Sequence, residues 1–241
     1  RRYPPPPQHR GTTQKVFHVL NFLCASFRAG VFAFRRVIEA KAMGTGSHRH
    51  HHQILWLVFR EVVLNLPAAL FFTTYALLVL FWGEIYYRAK GLECGGLRKG
   101  FVSVNVFVYA LLIFGCAAVG IFPEQIKTVA AVGAVFLATA SLCTACGFVK
   151  YGGALFVMLK KFPPSAKGRR KKIAEVGVVT AVCTFCFVAR SAAMIGDAIV
   201  LANRNSVSNS WLDSINHPVV DIAYYAVCEL FPSALVLFVL R

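Results

Sequence analysis

Three stretches of the chain carry no charge over some twenty residues each: VVLNLPAALFFTTYALLVLFW (62–82), FVSVNVFVYALLIFGCAAVGIF (101–122) and VAAVGAVFLATASLCTACGFV (129–149). At about 1.5 Å of rise per residue, a helix of about 20 residues crosses a hydrocarbon core about 30 Å thick. Soluble domains do not repeat such runs. Lipid admits only helices and closed barrels, because it offers the backbone no hydrogen-bond partner. The windows also lack the polar/apolar alternation of a barrel strand. The expected fold is therefore an all-α, polytopic transmembrane bundle.

Three further windows are apolar but hold isolated charges. Residues 16–34 contain Arg28, residues 176–202 contain Arg190 and Asp197, and residues 218–240 contain Asp221 and Glu229. The expectation is one transmembrane domain over 1–241 with six spans, at 16–34, 62–82, 101–122, 129–149, 176–202 and 218–240. The chain opens on RRYPPPPQHRG without an initiator Met and stops one residue after an apolar helix. Both ends read as cut, so an earlier helix is expected before Arg1.

A net charge of +16, from 26 Lys and Arg against 10 Asp and Glu, would by itself point to nucleic acid. The map of the charges argues otherwise, because most of them sit between the spans. One side of the membrane takes 17 of the Lys and Arg, in the N-terminus, the 83–100 and 150–175 connections and Arg241. The other side takes fewer, among them Arg35, Arg36, Lys41, Arg49, Lys127 and Arg204. Cytosolic loops are the ones enriched in Lys and Arg, so both ends of the chain are expected to face the cytosol. No direct nucleic-acid binding is expected.

The densest basic stretch is KKFPPSAKGRRKKIAEVG at 160–177. Its cations are Lys160, Lys161, Lys167, Arg169, Arg170, Lys171 and Lys172. Pro163 and Pro164 should end the fourth helix, since proline has no N–H and disfavours helix at the residue before it. Gly168 should then add a flexible point before the four consecutive cations, with the fifth helix starting near residue 176. Orienting the helices is the plain role for such a patch. The sharper one is a docking surface for an acidic partner or for anionic headgroups, at roughly 1 kcal/mol per cation near the surface.

Charges inside the spans cost about 2.5–3.5 kcal/mol each on insertion scales, so they face the bundle interior and pair. Arg28 and Glu229 fall at similar depths near the midplane, and Arg190 is close to that level. Glu229 is expected to pair with one of the two arginines. With Asn105 and Asp221 they make a candidate intramembrane polar network. A packing role and a ligand, ion or proton site are both open for it, with packing favoured.

Other constellations carry less. Cys143–Cys146 and Cys183–Cys186 have CxxC spacing, but both pairs lie inside spans at different depths, and buried thiols packing as small apolar groups are expected. His48-Arg49-His50-His51-His52 lies in a Gly/Ser/His-rich stretch without Cys or carboxylate partners, which reads as a linker loop rather than a metal site. There is no phosphate-binding glycine loop, no HExxH and no nucleophile elbow. No enzyme activity, cofactor or metal is expected.

Several longer strings are specific. GTTQKVFHVLNF (11–22), LFFTTYALLVLFWGEIYYRAK (70–90), SVNVFVY (103–109), YGGALFVMLKKFP (151–163), SAKGRRKKIAEVG (165–177) and HPVVDIAYYAVCELFPSALVLFVLR (217–241) together resemble the plant tobamovirus multiplication protein family, across nearly the whole chain. The resemblance implies a seven-helix protein of the vacuolar membrane, with the first helix preceding Arg1. It implies a host factor that anchors tobamovirus RNA replication complexes by binding the viral replication protein at the cytosolic face. An ADP-ribosylation-factor-like small GTPase is a further implied partner, and membrane lipids are a third. Arg28, Asn105, Arg190, Glu229 and the KGRRKK stretch match the family pattern, whereas the His-rich connection does not. The reading is a non-enzymatic multi-pass scaffold. A seven-helix receptor for a lumenal ligand is the alternative, and a transporter is less favoured because no internal repeat is visible.

Overall fold

The computed structural model describes residues 9–42, 50–161, 167–203 and 224–240. Among them there is no strand. Helix α1 runs His9–Ala42, α2 His50–Ala89 and α3 Gly95–Ile121. A 3-10 turn, Pro123–Gln125, leads into α4, Ile126–Gly147. A π turn, Phe148–Gly152, carries that rod without a break into α5, Gly153–Lys161. Helix α6 runs Lys167–Asn203, and a second π turn, Ala226–Leu230, precedes α7, Phe231–Leu240.

Four helical stretches among the described residues are long and apolar enough to cross a membrane: Glu61–Ala89, Gly95–Ile121, Ile126–Lys160 and Ala174–Gly196. The 16–34 window lies inside α1. Of the 218–240 window, the described part holds a shorter apolar run, Ala226–Val239.

Helix α1 buries Phe17, Asn21, Cys24 and Val31, one stripe at helical spacing, and Arg28 falls on it. Helix α2 is the hub. Phe71, Tyr75, Leu78 and Trp82 from it pack on Phe148, Cys183 and Phe187. The outward surface is as apolar as the core, with Phe107, Phe114, Phe185 and Phe238 exposed, while Thr74, Ser141, Thr144 and Ser191 are buried. That inversion suits a lipid solvent, where packing and interhelical hydrogen bonds drive association. Ser191 provides one such bond, donating from Oγ to the Ala138 carbonyl at 3.0 Å and tying α6 to α4.

Close approach at the π turn depends on glycine. A Cβ on Gly152 would lie 2.5 Å from Thr180 Oγ1 and 2.7 Å from the Trp82 ring, and one on Gly147 would lie 2.8 Å from a Val79 methyl. Only a residue without a side chain lets α2, the rod and α6 meet there.

Several expectations are corrected. The end of the fourth helix is not among them: past the 129–149 window the helix continues to Lys161, ahead of the expected breakers Pro163 and Pro164, with the Lys150 ammonium 5.4 Å over the Tyr151 ring. The fifth helix begins at Lys167 rather than near 176, so Gly168 is helical and not a flexible point. His50, His51 and His52 lie in the first turn of α2 rather than in a loop; His48 and Arg49 lie outside the described residues. Of the two CxxC pairs, Cys183 and Cys186 are buried, but Cys143 and Cys146 are exposed. Helix α4 turns Ala138, Ser141 and Ala145 inward, which rotates the first pair to the outside.

Candidate functional site

Three of the expected polar residues meet at one point. Arg28 of α1 donates from Nε to Glu229 Oε2 at 2.9 Å and from Nη2 to Oε1, a two-nitrogen grip on the carboxylate. Arg190 of α6 donates from Nη1 to the same Oε1. The side chains are 13 %, 8 % and 3 % exposed for Arg28, Glu229 and Arg190, so the cluster is cut off from solvent on both sides of the carboxylate. The Arg28 guanidinium also lies 4.2 Å over the Tyr225 ring, and that of Arg190 4.9 Å over Phe71. Sequence reasoning expected one arginine on Glu229; both reach it. The result is an ionic clamp joining α1, α6 and the last helical segment.

The local sequence explains how Glu229 comes to face inward. Pro232 has no N–H and its ring crowds the preceding turn, which widens the helix there. In the π turn the Phe231 N–H reaches back to the Ala226 carbonyl. The next donor along the ladder would be residue 232, a proline, so the Val227 carbonyl has no backbone donor. Cys186 supplies one, with its Sγ 3.6 Å from that oxygen. Widening by one residue lets Cys228, Glu229 and Pro232 all point into the bundle.

Asn105 belongs to a different cluster. Its Nδ2 donates to the Phe101 carbonyl at 2.8 Å, and Thr73 Oγ1 donates to its Oδ1 at 2.8 Å. The Tyr109 hydroxyl lies 3.1 Å from Thr73 Oγ1. This group ties α2 to α3 and does not reach the arginines. Asp221 lies outside the described residues.

A third cluster escaped sequence reasoning. Glu84, in the last turns of α2, accepts from Arg88 Nη2 at 3.2 Å and from Arg98 Nε, on α3, at 2.5 Å. The i, i+4 spacing of Glu84 and Arg88 was a readable signal; the Arg98 contact depends on how α3 folds back. Lys160 is exposed near the end of α5, Lys161 closes that helix, and Lys167, Arg169, Arg170, Lys171 and Lys172 form the opening turns of α6.

The family model described as the THH1/TOM1/TOM3 domain matches residues 5–241. The chain belongs to the THH1/TOM1/TOM3 family. Tobamovirus multiplication protein 3 of Nicotiana tabacum is 42% identical over 98% of this chain and 72% of its own length. Tobamovirus multiplication protein 1 of Arabidopsis thaliana is 43% identical over 98% of this chain and 73% of its own. Tobamovirus multiplication protein 3 of Arabidopsis thaliana is 40% identical over the same share of the chain and 70% of its own. No solved structure matches. Every residue of the ionic clamp, of the Asn105 cluster and of the basic stretch lies within the span matched by the THH1/TOM1/TOM3 domain.

Proposed function

We propose that this protein is a multi-pass scaffold of the plant vacuolar membrane that recruits cytosolic partners and serves as a host factor in tobamovirus multiplication. The observation that carries the reading is the match over 98% of the chain to proteins named for that process. The partners in this reading are the viral replication protein and an ADP-ribosylation-factor-like small GTPase. They dock on the face carrying both chain ends and the basic stretch, with the clamp holding the bundle beneath in one packing.

The form of the basic stretch supports a docking role. From Ile126 to Lys161 the rod is about 54 Å long at 1.5 Å per residue, well beyond a 30 Å hydrocarbon core, so one end stands clear of the lipid. Five of the cations open α6, where they oppose the helix dipole by about 0.3–1 kcal/mol. Helix stability would not put them there.

The test replaces Arg169, Arg170, Lys171 and Lys172 by Gln and measures recovery of the replication protein and of the GTPase from plant membranes over a salt series. The reading expects normal insertion, weaker recovery and a flatter salt dependence of what remains. Undiminished recovery with the original salt dependence would reduce the stretch to an orientation signal.

A further inference from the structure

The clamp is short of one negative charge. Arg28 and Arg190 cannot shed their protons in a protein, so two full positive charges meet the single carboxylate of Glu229. Among the described residues, Glu229 is the one carboxylate paired with either guanidinium. The same two-to-one arrangement recurs at Glu84, but there Arg88 and Arg98 are 48 % and 52 % exposed, and water and dissolved counterions balance the excess. At the clamp the arginines are 13 % and 3 % exposed, inside a bundle whose outer surface is apolar. A buried charge is held only where an opposite charge and hydrogen bonds offset its lost hydration. An excess of one cation is therefore a costly state for the chain alone.

The excess comes with unused donors. Of the Arg190 nitrogens, Nη1 alone reaches Glu229, which leaves Nε and Nη2 without an acceptor although the residue is almost wholly buried. Arg28 spends Nε and Nη2 on the carboxylate and keeps Nη1. The Tyr225 and Phe71 rings, 4.2 and 4.9 Å from the guanidiniums, soften the charge through their π faces but carry no negative charge of their own. Both guanidiniums grip Oε1, so they are neighbours, and an anion taken by one lies in the field of the other. We infer that the clamp binds one small monovalent anion, accepted by the unused N–H groups of Arg190 and Arg28. The valence follows from the count, since a single negative charge brings the site to zero and a divalent ion would overshoot. The small size follows from the enclosure, and Arg28, the least enclosed of the three, puts the entry on the α1 side. The site lies in the bundle interior and does not depend on recruitment of any cytosolic partner.

The experiment follows thermal unfolding of the full chain in phosphatidylcholine nanodiscs while chloride replaces gluconate at constant ionic strength, so that general screening does not change. An ion bound by the folded state alone should raise the midpoint by about 3–5 °C for each tenfold rise in chloride above its dissociation constant. Equilibrium dialysis with radiolabelled chloride should saturate at a single ion per chain. Arg190→Gln leaves Arg28 and Glu229 as a neutral pair and should abolish both responses. Arg28→Gln removes the excess charge from the other side and should do the same if Arg190→Gln folds poorly. Arg98→Gln, in the exposed cluster, should keep both responses. A response to nitrate or acetate but not to chloride supports the site and assigns it to an oxyanion. An unaltered chain that responds to none of the three ions overturns it. A response that survives both clamp variants, or that Arg98→Gln removes, overturns it as well.

Discussion

Arg28 and Glu229, 201 residues apart in sequence, are joined through two nitrogens and two oxygens in the middle of the bundle. The carboxylate is shared with Arg190, so removing it strands two buried guanidiniums together. Glu229→Gln should lower stability by about 3–5 kcal/mol, the cost of an uncompensated buried charge. Arg190→Met on top of it should recover part of the loss, since one unpaired cation is then gone. Thermal unfolding in detergent reads both; full stability of Glu229→Gln would mean the clamp carries no weight in folding.

Gly152 and Gly153 are neighbours with opposite expectations. Gly152→Ala drives a methyl into Thr180 and Trp82 and should cost about 1–3 kcal/mol by overpacking. Gly153→Ala meets nothing within 4 Å and should be neutral, or stabilise by about 0.5–1 kcal/mol through helix propensity. Unfolding midpoints of the two variants moving in the same direction would contradict the close packing at the π turn.

The Asn105 cluster invites a replacement series. Asn105→Ala removes one of the two acceptors of the Thr73 hydroxyl, which keeps the Ala69 carbonyl at 3.0 Å, and should cost about 0.5–1.5 kcal/mol. Converting all three partners, with Thr73→Val, Asn105→Leu and Tyr109→Phe, should recover most of that loss, because apolar groups of matching shape leave nothing unsatisfied. A triple variant no better than Asn105→Ala would show that packing, not hydrogen bonding, matters at this site.

Thiol reactivity separates the two CxxC pairs. Cys143 and Cys146 are exposed on the lipid-facing side of α4, whereas Cys183 and Cys186 are buried in α6. A membrane-permeant maleimide applied to the folded protein should label the first pair and spare the second until unfolding. Equal rates at all four positions would refute the rotation of α4.

Much of this was legible in the linear chain. Charge-free windows call for helices, because a backbone in lipid has no other donor or acceptor, and the described chain is helical outside the short connections at 90–94 and 122, with four long apolar stretches. The lone charges at 28, 190 and 229 also signalled that they must turn inward. The end of α5 at Lys161, ahead of Pro163 and Pro164, was legible from the breakers; the start of α6 at Lys167 rather than near 176 was not, because hydrophobicity marks the lipid boundary and not the helix end.

The sequence by itself determined the membrane class, the helices and the residues unable to face lipid, since each follows from the free energy of one group or one segment against its solvent. Only the tertiary structure decided that Asn105 bonds Thr73 rather than the arginines, that Cys146 faces out and Cys186 in, and that Glu229 takes both Arg28 and Arg190. Those outcomes depend on the rotation of each helix about its axis and on the extra residue in the turn before Pro232. Rotation is set by how several helices pack at once, and no single segment contains that information.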